Sequence, residues 1–138
     1  MIKYTFILSL SLFFLTDCKQ ENKNQKLLLG KWEMIDRKYE CPDTSITNKQ
    51  NRYSDFILKT EKYLFEFTNT TMKSFGNNEL LDVMKYELEE DSLILISADS
   101  KNQIKEHLNF STEKDLILTE KRTPESNCIL VAHFRKIN

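Results

Sequence analysis

The chain has 138 residues, with 20 lysines and arginines against 21 aspartates and glutamates, 40% hydrophobic and 11% aromatic side chains, and only two glycines and two prolines. That length leaves room for one ordinary domain and excludes several, and the near-balanced charge excludes a broad basic face for nucleic acid. The apolar and aromatic content excludes a chain disordered by composition.

Met1-Ile2-Lys3 supplies a positive start, and Tyr4 to Leu15 is an apolar run of about twelve residues, the length of a signal-peptide core and too short to span a bilayer. Met1 to Asp17 therefore reads as an export leader. Leu15-Thr16-Asp17-Cys18 resembles the lipobox of bacterial lipoproteins, which implies that Cys18 is acylated and becomes the mature N-terminus. The alternative is a secreted chain with a free Cys18. Lys19 to Lys26 reads KQENKNQK, without an apolar residue or a period, and is expected to be a flexible tether from Cys18 to the domain. Lys19-Gln20-Glu21 resembles the charged surface-export signals of some Gram-negative lipoproteins. The expected place is the cell envelope, anchored by lipid to the outer membrane, at its periplasmic face or at the cell surface.

From Gly30 onward apolar residues recur at period two in short segments separated by polar turns, the pattern of strands rather than helices. The expected strands are Gly30 to Arg37, Tyr63 to Phe67, Thr70 to Phe75, Asp82 to Glu89, Leu93 to Ile96, Gln103 to Ser111, Leu116 to Thr119 and Ile129 to Lys136. Gly76-Asn77-Asn78 and Glu90-Asp91 are expected turns, because Gly and Asn tolerate positive φ. Pro124 falls in the connection to the last strand. Connections this short impose antiparallel pairing in sequence order, since a parallel crossover needs about a dozen residues or more. Eight strands in a meander hide their edges by closing, so the expected fold is all-β, an eight-stranded antiparallel up-and-down barrel over residues 27–138. The long connection from Lys38 to Glu61 is read either as a mobile lid or as a partly ordered flap. Its apolar cluster of Tyr53, Phe56, Ile57 and Leu58 is read as a helical turn or an extra strand.

An apolar turn, then Gly30-Lys31-Trp32, a long first loop and a meander ending in Phe134-Arg135-Lys136 together resemble the lipocalin-like domains of bacterial lipoproteins. That resemblance implies a tryptophan at the closed end of the barrel with an arginine of the last strand across its indole, here Trp32 and Arg135 as a structural pair.

Cys41 lies in the long connection and Cys128 at the start of the last strand, which in a closed meander neighbours the first; the two are expected to form a disulfide in an oxidising compartment. Period-two spacing puts Glu106 among Ile104, Leu108 and Phe110, facing the interior. A buried carboxylate needs a partner. Glu106 is therefore expected to meet a cation of a ligand, or an arginine or tyrosine of a facing strand, or to be turned outward by a bulge. Tyr63, Phe65, Phe67, Tyr86, Leu108 and Phe110 either fill the interior or, with Glu106, line a ligand cavity. In the last strand, pairing with Trp32 turns Ile129, Val131, His133 and Arg135 inward, whereas hydrophobicity turns Leu130, Ala132 and Phe134 inward. His107 and His133 read as polar-face residues, with no nucleophile in context beside them and no metal-ligand spacing. No phosphate-binding or dinucleotide motif is present, and no cofactor is expected. The function expected is non-enzymatic: a lipid-anchored monomer that binds or carries a small apolar or amphipathic ligand. The alternative is an envelope protein-interaction module, such as a scaffold, an inhibitor or an immunity lipoprotein, built on a solid barrel.

Overall fold

The computed structural model describes residues 22–121 and 127–137. The expected leader, Cys18, the start of the expected tether and Pro124 lie outside the described residues. The elements are helix α1 (Lys23–Leu28), strand β1 (Gly30–Glu40), helix α2 (Thr44–Thr60), and strands β2 (Tyr63–Phe67), β3 (Thr71–Gly76), β4 (Glu79–Glu89), β5 (Ser92–Ile96), β6 (Gln103–Thr112), β7 (Asp115–Lys121) and β8 (Ile129–Ile137). The strands pair antiparallel in sequence order, and β8 returns to β1 to close an eight-stranded barrel. Short polar turns enforce this order. Asn77 and Asn78 take φ of 50° and 69° in the two-residue turn between β3 and β4, the left-handed geometry that matches strand twist in a tight hairpin.

Each expected strand is present, with ends shifted by up to three residues. Lys23 to Lys26, expected to be part of a flexible tether, are helical. Asn22 accepts from the backbone of Asn24 and starts α1 at Lys23, and Leu28 at its end is fully buried under the barrel. The burial of that one leucine draws a polar stretch into a helical turn. Gly30 then enters β1 at φ 115°, a conformation L side chains rarely adopt, and a Cβ there would come within 3.2 Å of the Lys136 side chain.

The long connection is not an open loop but a seventeen-residue helix. Asp43 caps it by accepting from the Ser45 amide at 2.8 Å. Its polar side faces the barrel. Thr47 accepts from the Cys41 amide at 3.0 Å, and Ser54, fully buried, accepts from Arg37 Nε at 3.4 Å. Asn51 accepts from the Tyr39 amide at 2.7 Å and donates to the Tyr39 carbonyl at 3.2 Å. The β1–β2 ladder stops at Glu33↔Leu64, while β1 continues along β8 to Glu40↔Ile129, so α2 lies beside the stretch of β1 that β2 leaves uncovered. The outer side of α2 carries Ile46, Tyr53 and Phe56, exposed by 46%, 60% and 64%, among the exposed charges Lys49, Arg52, Asp55 and Lys59, while Ile57 and Leu58 are half-buried.

A bulge at Ile35 shifts the β1–β8 register between Met34 and Asp36. One extra residue flips the faces, so Trp32 and Met34 point inward below it and Arg37 and Tyr39 point inward above it. At the top of this ladder Cys41 and Cys128 form a disulfide, with Cα atoms 4.2 Å apart.

The last strand follows hydrophobicity. Of the two phases open to it, Leu130, Ala132 and Phe134 are buried, and Ile129, Val131, His133 and Arg135, the set that pairing with Trp32 would turn inward, are not. Arg135 is exposed and lies 3.7 Å from Asp115 on β7, so it does not pair with Trp32. Turning Arg135 inward would turn Phe134 out of the core, a far larger loss than one cation over an indole. Lys136 takes the place instead. It is the register partner of Trp32, and its Nζ stands 5.1 Å from the indole centroid and donates to the Leu27 carbonyl at 2.9 Å.

Candidate functional site

The interior has two unlike halves. At the α1 end, Trp32 is fully buried and donates from Nε1 to the Leu28 carbonyl at 2.8 Å, with Phe110 5.9 Å away. Phe67 meets Tyr86 edge-on at 5.5 Å, and Leu93, Leu108, Leu116 and Leu118 complete a packed core. The Tyr86 hydroxyl donates to the Thr68 carbonyl and accepts from Gln25 of α1 at 2.8 Å, which satisfies the polar end of a buried ring. Phe67, Tyr86, Leu108 and Phe110 thus fill this half of the barrel, Leu108 and Phe110 also bordering a depression beside α1.

Toward α2 the interior is hollow. A cavity of about 320 Å³ is lined by Met34, Phe65, Met72, Met84, Leu95 and Ile104, with Arg37, Tyr63, Ser74, Leu81, Glu106 and Glu120 as its further walls. All three methionines after Met1 lie on it. Thioether side chains are unbranched and adaptable, so they shape a wall that conforms to what it holds. Of the expected lining residues, Tyr63, Phe65 and Glu106 are here. Arg37 and Glu120 were not legible as site residues, Arg37 because of the bulge at Ile35. Among the described residues, further depressions include one of about 200 Å³ at Lys31, Leu64 and Phe75 and one of about 320 Å³ beside α1.

Glu106 does face inward. The bulge in β6 falls later, between Phe110 and Thr112, so the period holds through Glu106. Its register partners are Leu93 on β5, fully buried, and Glu120 on β7. Its Oε2 is buried without a hydrogen-bond partner, and no other described side chain that is not exposed leaves a buried oxygen or nitrogen so. Burial, and then the neighbouring Glu120 carboxylate, push its pKa from 4.5 up to about 7. Arg37 does not neutralise this pair: its guanidinium stands 5.7 Å from the Tyr39 ring and is bonded to Ser54. The Tyr63 phenol donates to Glu61, a bond that with burial raises the phenol's pKa.

A raised carboxyl pKa in the fold means the native state holds a proton that the unfolded chain has released. Stability is then fully present below pH 4.5 and is lost as pH rises toward about 7. The loss is on the order of 3 kcal/mol at most for a shift of this size. Glu106→Gln is expected to remove that slope, so that denaturant unfolding at pH 5 and pH 8 shows the variant gaining on the parent at the higher pH. An equal difference at both values would refute the assignment.

His107 lies on the outer face 3.5 Å from Asp91, and His133 is on the outward phase of β8 beside Asp36. Among the described residues, no three His, Cys, Asp or Glu side chains are placed to share a metal ion. A comparison with protein-family models and with curated proteins found no match to this chain.

Proposed function

We propose that this protein is a lipid-anchored, lipocalin-like carrier of the Gram-negative cell envelope, which holds a small amphipathic molecule inside the α2 half of its barrel and performs no catalysis. The cavity is the observation that carries the reading. Its volume and its mainly apolar wall with a few converging polar groups match the ordinary form of a small-molecule site. The apolar leader and the lipobox-like Leu15-Thr16-Asp17-Cys18 support the anchor, and the G-x-W at Gly30 to Trp32 with a closed eight-stranded barrel supports the lipocalin-like reading.

Asn22 enters at the Trp32 end, so an acyl chain on Cys18 would hold that end to the membrane and leave the cavity end facing away from it. Cys18→Ala is expected to move the protein from the membrane fraction to the soluble one; continued membrane association would refute the anchor. For the carrier reading, native mass spectrometry of the Cys18→Ala chain should give a discrete adduct that disappears on unfolding. Its absence across envelope extracts would favour a second reading, an envelope protein-interaction module. That reading has its own observation in the exposed side chains Ile46, Tyr53 and Phe56 on α2 and Leu80, Leu81 and Val83 on β4.

A further inference from the structure

We propose that the molecule this cavity takes is a cation, a small hydrocarbon amine whose ammonium group lies between Glu106 and Glu120 while its apolar part lies against Met34, Met72 and Met84. The proposal rests on the carrier reading and names its ligand class.

Glu106 and Glu120 are register partners on neighbouring strands, both on the inward phase, so their carboxyl groups stand side by side at one wall of a mainly apolar space. Like charges placed so repel, and burial strengthens the repulsion. The groups that face them do not relieve it. On the β5 side the partner of Glu106 is Leu93, which has no polar atom to offer. Across the cavity, Arg37 is turned to Ser54 and Tyr39, Tyr63 donates to Glu61, and Ser74 is uncharged. One carboxylate oxygen is left buried without a donor.

Three kinds of guest can be compared on this wall. An anion meets two carboxyl groups and is repelled. A neutral chain fills the apolar space and leaves Glu106 Oε2 as it was. An ammonium group brings three N–H donors and a positive charge, so it satisfies the orphan oxygen and removes the repulsion at once. The cavity volume equals the liquid volume of about ten water-sized groups, which suits an amine of about that many non-hydrogen atoms. Because Glu106 takes up a proton near pH 7, the same wall releases its guest on acidification.

The test uses the full chain carrying Cys18→Ala and methionines labelled with ¹³C at the methyl, whose NMR signals report from the cavity wall at β1 (Met34) and at the neighbouring strands β3 and β4 (Met72 and Met84). Octylammonium, octanol and octanoate are titrated at pH 8. Octylammonium is expected to shift the Met34, Met72 and Met84 signals and to bind about 10- to 100-fold more tightly than octanol, the range of a charged hydrogen bond formed away from water. Octanoate should bind weakest of the three. Glu106→Gln should abolish the preference for the amine without weakening octanol, and Glu120→Gln should reduce it, so that either variant serves if the other does not fold. At pH 5 the amine should lose most of its advantage. Octanol or octanoate binding as tightly as octylammonium would overturn the charge assignment and leave the carrier reading standing. Methionine signals unmoved by all three probes would overturn both.

Discussion

Reduction of the Cys41–Cys128 bridge is expected to lower the unfolding free energy by about 4 to 5 kcal/mol, the loop-closure value for a cross-link spanning most of a domain. The two cysteines are 87 residues apart in sequence, so the bridge removes a large share of the freedom of the unfolded chain. In the folded barrel it continues the β1–β8 ladder by one rung beyond Glu40↔Ile129, across the place where the chain must close on itself. A domain of this size has about 5 to 15 kcal/mol of net stability, so the reduced protein should be marginal at physiological temperature. Denaturant unfolding with and without reductant checks the figure, and the Cys41→Ser, Cys128→Ser double variant should match the reduced protein without needing reductant. Unfolding midpoints that coincide within error would show that the bridge contributes nothing.

Trp32→Ala should be as damaging by another route, about 3 to 5 kcal/mol, the usual cost of emptying a large aromatic site that neighbours cannot refill. Trp32 has no exposure, and its ring is held from three directions by the Leu28 carbonyl, the Lys136 ammonium and Phe110. These contacts also fasten α1 to the barrel. Trp32→Phe keeps an aromatic ring and loses the N–H, so it should cost roughly 1 to 3 kcal/mol for the buried Leu28 carbonyl that loses its donor, beside the lost packing. Phe56→Ala, on the exposed side of α2, should change stability by about 0.5 kcal/mol or less. Unfolding curves for the three variants test the ranking, and Phe56→Ala equalling Trp32→Ala would contradict the described packing.

The strands were legible because period two is a direct consequence of half-buried pleated backbone: Tyr63, Phe65 and Phe67 alternate in the sequence as they do in the barrel. Glu106 was legible for the same reason, as a polar residue on an apolar phase. Three features obscured the rest. Helix α2 turns Thr47, Asn51 and Ser54 to the barrel and Tyr53 and Phe56 to solvent while Ile57 and Leu58 are half-buried, so its apolar cluster does not mark the face that packs. The bulge at Ile35 changes which residues of β1 face inward, and no local feature of Met34-Ile35-Asp36 announces an extra residue. On β8, expectation from the G-x-W resemblance set Arg135 against Trp32, whereas the apolar residues Leu130, Ala132 and Phe134 fixed the phase and left Lys136 beside the indole. The cavity was half legible. Its carboxylate and aromatics could be named, but which half of the barrel would stay hollow depends on how closely facing side chains interlock, and that is decided across strands far apart in sequence.

Asn51 supplies Tyr39 with one acceptor and one donor, the same pair a neighbouring strand would offer. The stretch of β1 that outruns β2 is therefore not a template on which a second copy of the chain can add a strand. At high concentration the chain would otherwise present a row of backbone groups next to an apolar hollow, a combination that invites aggregation. Asn51→Ala should thus be felt less in the melting of dilute protein than in its yield and its tendency to form fibrous deposits at high concentration, because what the amide guards against is assembly between molecules.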